Sequence, residues 1–202
     1  MMLYGTEFKD PKYRSSFGMK GKYRIVPLNL GEYEKEKIFD YEEVCIENKD
    51  MSFKDYIDLR LLSLLVESVY NNQTFDAFFR YASTIGVSQS NFLFKIFTSI
   101  DKAPSKIIKI FEEYKKETQE ELWDSEKEMV EYYQKEENYK KLLKGDAGGN
   151  LIYKYKSKNL AMAMPEWIQF LSNILEEMVI ENGRKNLNFS QNEIETKKNE
   201  IS

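Results

Sequence analysis

Histidine is absent from the 202 residues, and cysteine occurs once, at Cys45. Without histidine the chain lacks the side chain most often used for acid–base work near neutral pH, and neither a Ser-His-Asp triad nor a Cys-His pair can be assembled from it. A single thiol cannot supply the several Cys or His ligands of a zinc or iron–sulfur site, so such a cofactor needs ligands from outside this chain. Nor can it form an internal disulfide, which excludes a stapled secreted scaffold and makes the cytoplasm the expected compartment. No stretch approaches the ~20 consecutive apolar residues of a membrane span. Met1 to Lys9 also lacks the basic start and long apolar run of a signal peptide. A strong charge of one sign is missing too: Lys+Arg number 30 against Asp+Glu 34, a net charge of -4. No overall field draws the chain to nucleic acid, and neither nucleic acid nor a membrane is an expected partner.

What is present is enough to fold. Hydrophobic residues make up 42%, with 14 Tyr and 13 Phe, which is far from the composition of a disordered chain. The fold class read from the pattern is mainly α with a small N-terminal β portion. Residues 1–50 hold three short extended runs: Met1 to Tyr4, Lys22 to Val26 and Lys37 to Ile46, the last rich in β-branched and aromatic side chains. Three such strands with open edges do not close a core and need more sheet.

Residues 51–183 turn to helical spacing. Ser52-Phe53-Lys54-Asp55 fits a capping box, followed by Ile57, Leu61, Leu64, Leu65, Ser68 and Val69 on one face. Thr74 is the expected cap of a second helix ending at Gly86, and Ser88 the cap of a third carrying Phe92, Ile96 and Ile100. Pro104 opens a long charged helix to about Lys144, with a break near Asp124-Ser125 and supporting pairs such as Glu136 and Lys140 four apart. Leu151 to Tyr155 reads as extended. A last amphipathic helix starts near Pro165 and stops at Gly183, and residues 184–202 read as a disordered tail.

Chemistry-bearing candidates are few. The glycine-rich stretch 145–150 ends a helix instead of opening one, so it reads as a turn and not as a phosphate cradle. Carboxylates on the long helix lack a cleft that would shift their pKa values. Cys45, inside an apolar run, reads as an ordinary buried residue. Lys9, Lys12, Arg14, Lys20, Lys22 and Arg24 face only Asp10 in their stretch, which makes either a solvated loop or a place for an anion to dock. Arg24, set in a strand, is suited to structural or ligand contact.

The run Leu3-Tyr4-Gly5-Thr6-Glu7, then Arg14, and the runs Tyr23-Arg24-Ile25-Val26-Pro27, Gly31-Glu32-Tyr33, Glu42-Glu43-Val44 and Met51-Ser52-Phe53 with Asp55 and Tyr56 resemble the closing part of cobalamin-binding-type radical SAM enzymes. The resemblance covers about Leu3 to Ile85 and, more loosely, Leu151 to Tyr155 and the final helix. It implies the last strands of an incomplete α/β barrel followed by a helical accessory domain, covering an active site without being catalytic alone. It further implies Gly5, Thr6 and Glu7 as cofactor-binding residues at a barrel strand end, and Arg24 as substrate-binding. A turn glycine with a capping threonine explains the first group equally well. The family's CxxxCxxC loop is absent, so the parent's S-adenosylmethionine and [4Fe-4S] cluster, with cobalamin as a further candidate, belong to a missing N-terminal radical SAM portion or a partner chain. The competing readings are a non-enzymatic helical adaptor whose strands extend a partner's sheet, and an anion or nucleic-acid binder using the basic loop.

Overall fold

The structure is a computed structural model that describes residues 5–71 and 73–181. Among the described residues it is mainly helical, with one two-stranded antiparallel sheet at the N-terminal side. The chain divides into two compact units, Met1–Leu61 with Tyr114–Lys154, and Leu62–Glu113 with Tyr155–Ser202. The sequence puts a boundary near residue 50, whereas in the structure Tyr114–Lys154 clusters with the N-terminal segment. The run Met1 to Tyr4, the stop at Gly183 and the tail lie outside the described residues.

In the hairpin unit, helix α1 (Pro11–Ser16) begins with Pro at its first turn, and the Asp10 side chain accepts from the Lys12 N–H at 2.9 Å. Strands β1 (Lys20–Tyr33) and β2 (Glu36–Glu47) then form one hairpin. The second and third strands expected from the sequence are therefore the arms of a single antiparallel pair. Glu34 and Lys35 make the turn with φ of 49° and 69°, the left-handed values that match the twist of a tight hairpin. Pairing is irregular between Ile25 and Leu30, where Pro27 has no N–H to give the ladder and Leu28 sits at φ 66°.

Ile25 and Phe39 pack with Met129, Tyr133, Tyr139 and Leu142. Val44 and Ile46 pack with Leu122, Phe53 and Tyr56. Helix α2 (Phe53–Val69) starts from the expected capping box: Ser52 N–H donates to Asp55 Oδ2 at 2.8 Å, and Asp55 N–H donates to Ser52 Oγ at 3.2 Å.

The other unit is built on α3 (Asp76–Thr84), α4 (Gln89–Thr98) and α9 (Met164–Glu181), which pack on one another. Ser88 caps α4 as its sequence predicts, its hydroxyl accepting from Asn91 N–H at 3.2 Å. Thr74 does not cap α3: the helix begins after Phe75, without a side-chain cap bond. Phe75 is fully buried and packs toward Trp167, ring centres 6.4 Å apart, so apolar anchoring fixes this start where a hydroxyl was expected to. Trp167 is itself fully buried against Phe111 and Phe170.

The long helix expected over Pro104 to Lys144 is three helices, α5 (Ser105–Glu120), α6 (Glu126–Gln134) and α7 (Glu136–Lys144). The first break falls where Asp124-Ser125 predicts it, with Ser125 accepting from Glu128 N–H at 3.2 Å. It has a tertiary cause. Trp123 leaves the helix to exchange two backbone hydrogen bonds with Tyr23 of β1, both 2.8 Å. The second break, at Lys135, has no counterpart in the sequence reading, although Glu136 and Lys140 do meet at 3.2 Å. Leu151 to Tyr155 is not extended but opens helix α8 (Leu151–Met162). The Asn150 side chain accepts from Tyr153 N–H at 3.2 Å, a helix-start signal that outweighs the β-branched and aromatic content.

Candidate ligand cavity in the hairpin unit

Gly5, Thr6 and Glu7 are exposed and lead into a short 3-10 turn, Glu7–Lys9. Gly5 takes φ 80°, and nothing lies within 4 Å of a Cβ placed on it, so the glycine serves the backbone angle and not a close approach. Thr6 precedes the turn without a side-chain cap bond to it.

The basic segment that follows is tied to acids. Lys9 and Arg14 both donate to Glu43, Arg14 Nη2 at 2.6 Å from Oε1. Lys20 reaches Glu47 at 2.6 Å and Lys22 reaches Asp124 at 2.9 Å. The Glu43 side chain is only 3% exposed. Burial pushes its carboxyl up, and the hydrogen bonds from Lys9 and Arg14 outweigh that, holding it below the usual glutamate range.

Arg24 does not act alone. Its Nε donates to Glu42 Oε1 at 2.7 Å, its Nη2 lies 2.6 Å from the same oxygen, and its Nη1 donates to Glu121 Oε1 at 3.0 Å. All three nitrogens are engaged. Arg60, on α2, presents a second guanidinium to the same carboxylate. Its Nη2 stands 3.6 Å from Glu121 Oε1, beyond hydrogen-bond reach, and its Nε is buried with no hydrogen-bond partner among the described residues. Its flat group lies over the Tyr114 ring at 5.7 Å.

Burial pushes the Glu121 carboxyl up, and the charges of Arg24 and Arg60 only partly offset this. For Arg24, burial works against the charge, but Glu121 and Glu42 outweigh it and the guanidinium is held more firmly protonated. Burial also raises the Tyr56 phenol, which stays a neutral donor at neutral pH.

Two cavities share these arginines. One of about 150 Å³ is lined by Arg24, Arg60, Glu121, Pro27, Asn150 and Ile152 among others. The larger, about 310 Å³, is lined by Arg24, Arg60, Tyr56, Phe8, Met19 and Val44, with Cys45 at its wall. Cys45 is half-buried and its thiol donates to the Glu47 carbonyl at 3.3 Å. Among the described residues no group of three or more His, Cys, Asp or Glu is arranged to hold a metal ion, and no helix is long and apolar enough to cross a membrane.

Sequence reading reached Arg24 and missed Arg60. A signal for Arg60 exists: it follows Tyr56 by four and Ile57 by three and precedes Leu64 by four, a cation set into an otherwise apolar helix stripe. Glu121 carries no comparable signal. Comparison with protein-family models, with curated proteins and with solved structures returns no significant match.

Proposed function

We propose that this chain is the C-terminal accessory region of a radical SAM enzyme of the cobalamin-binding type, covering an active site whose cofactors are held elsewhere. The observation that supports the reading is the resemblance carried by Tyr23 to Pro27, Glu42 to Val44 and Met51 to Tyr56, runs that also meet one another in the hairpin unit. Arg24 of β1 is bonded to Glu42 of β2, and Ser52 and Asp55 build the capped start of α2 directly after the hairpin.

In this reading Gly5, Thr6 and Glu7 close the last barrel strand, where barrel enzymes place their binding groups. The hairpin is then an appendage to the barrel and not part of its wall, because antiparallel arms joined by a two-residue turn are not successive strands of a parallel barrel. The residues present do not fit an iron–sulfur cluster: there is one cysteine, and its thiol is committed to a backbone carbonyl. The cluster and S-adenosylmethionine, and cobalamin where used, fall to the remainder of the enzyme.

The test is the native mass in the source cells. An antibody raised against residues 52–100 captures a polypeptide much larger than 24.0 kDa that yields a CxxxCxxC peptide by mass spectrometry. A band of that smaller mass without a cluster-bearing companion overturns the proposal.

An adaptor is the second reading: the Tyr23 to Trp123 pairing favours a unit that folds by itself, and any extension of a partner's sheet then falls to β2. Those two backbone bonds occupy part of the outer edge of β1 from within the unit, so the hairpin leans less on foreign sheet than an orphan strand does. An adaptor unfolds cooperatively on its own, whereas an enzyme fragment loses its strands to protease while the helices from Ser52 resist.

A further inference from the structure

We propose that the 310 Å³ cavity of the hairpin unit binds a small oxyanion, with Arg60 as its principal ligand-binding residue and Arg24 and Tyr56 completing the site. Hydrogen-bond accounting within that unit carries the proposal, independently of the radical SAM reading.

A guanidinium carries donors in a rigid planar fork and is normally satisfied when taken from water, because a charged donor left orphaned keeps its full desolvation penalty. Arg24 meets this requirement with Glu42 and Glu121. Arg60 does not, although its side chain is only 18% exposed: the Glu121 oxygen is 3.6 Å away, and Nε has no partner among the described residues. Its unpaired Nε–H leaves the guanidinium short of one acceptor oxygen within the unit.

The cavity wall says what kind. Its charged lining consists of the two arginines, while Phe8, Met19 and Val44 supply apolar walls and Tyr56 a phenol. Glu42 and Glu121, which balance the arginines overall, are not on this lining, so the charged side chains that line the cavity are both cations. A volume near the low end of ligand pockets, roughly 300–1,000 Å³, suits a small molecule. Carboxylate and phosphate match the guanidinium fork in geometry as well as charge.

The test titrates the unaltered protein at neutral pH with sodium phosphate and, separately, sodium acetate, against sodium chloride at matched ionic strength, following the Arg60 Nε–H resonance by heteronuclear NMR. The expected result is a saturable shift of that resonance with at least one oxyanion and not with chloride. Response to phosphate alone identifies a phosphoryl group, to acetate alone a carboxylate, and to both a general oxyanion site. Read on the Nε–H resonance of Arg24, which lines the same cavity, Arg60→Gln weakens the binding by roughly tenfold or more, and Tyr56→Phe, which keeps the ring, weakens it several-fold. The proposal is overturned if neither anion moves the resonance beyond the chloride reference, or if folded Arg60→Gln binds as tightly as the parent. Because the resonance is read on the unaltered chain, the titration decides the matter even where a variant fails to fold.

Discussion

The two units fill their interiors with different chemistry. Around Trp167 the helical unit packs Phe75, Phe111 and Phe170, and its buried polar relay is uncharged: Asn159 donates to Ser68 Oγ at 2.9 Å and accepts from Trp167 Nε1 at 3.2 Å. The hairpin unit instead encloses carboxylates and cations, Glu43 under Lys9 and Arg14, and Glu42 and Glu121 under Arg24 and Arg60. Apolar packing gives stability directly, whereas enclosed ion pairs return little net stability after desolvation and penalise the loss of either partner. An interior of the second kind is retained where geometry or ligand contact matters more than stability.

The largest way to test that contrast is Trp167→Ala, which removes the centre of the apolar interior and costs about 3–5 kcal/mol, read by urea unfolding. A loss under about 1 kcal/mol means that neither the packing around Trp167 nor its bond to Asn159 holds this unit. Glu43→Ala comes next. It strands Lys9 and Arg14 over a buried hole, and because both cations keep some solvent the expected cost is about 2 kcal/mol. Full rescue by Glu43→Gln shows that charge pairing there contributes nothing. Ser52→Ala opens the capping box at the start of α2 and costs about 1 kcal/mol by the same measurement; no change shows that Asp55 holds the turn alone.

The smallest effect is in the pH profile, where two acids of the hairpin unit act with opposite sign. Glu43 is held below its ordinary value, so its stabilisation is present above the unfolded range near pH ~4.3 and is lost as pH falls through the lowered value. Glu121 is raised, so its contribution is complete below that range and is lost as pH rises through its folded value. Glu43→Gln therefore flattens the acid limb of the stability curve, and Glu121→Gln flattens the limb just above it. Identical slopes in parent and variants refute the assignment.

Local chemistry made much of this legible in the sequence. Ser52 with Asp55, Ser88 and Gly86 each act within a few residues, so α2, α4 and the stop of α3 follow from spacing alone. Ser125 marks the place of its break in the same way, although the pairing of Trp123 with Tyr23 is its tertiary cause. Failures arose where a distant contact outweighed a local preference: Phe75 anchors α3 in place of a Thr74 cap. At Leu151 to Tyr155 the error was local, since Asn150 commits strand-like residues to a helix. Of the candidate site, Arg24 was visible as a charge in a strand, while its partner Glu121 lies 97 residues away.

By itself, then, the sequence determined a helix-dominated chain with a short β start, one thiol, no imidazole and the caps at Ser52, Ser88 and Ser125, because composition and short-range hydrogen bonding need no partner. Tertiary structure decided that the strands form one hairpin, that Trp123 leaves its helix to pair with Tyr23, and that Arg60 lines a cavity with its Nε unpaired. Those outcomes depend on which distant groups compete for the same hydrogen bonds, and spacing along the chain does not encode that.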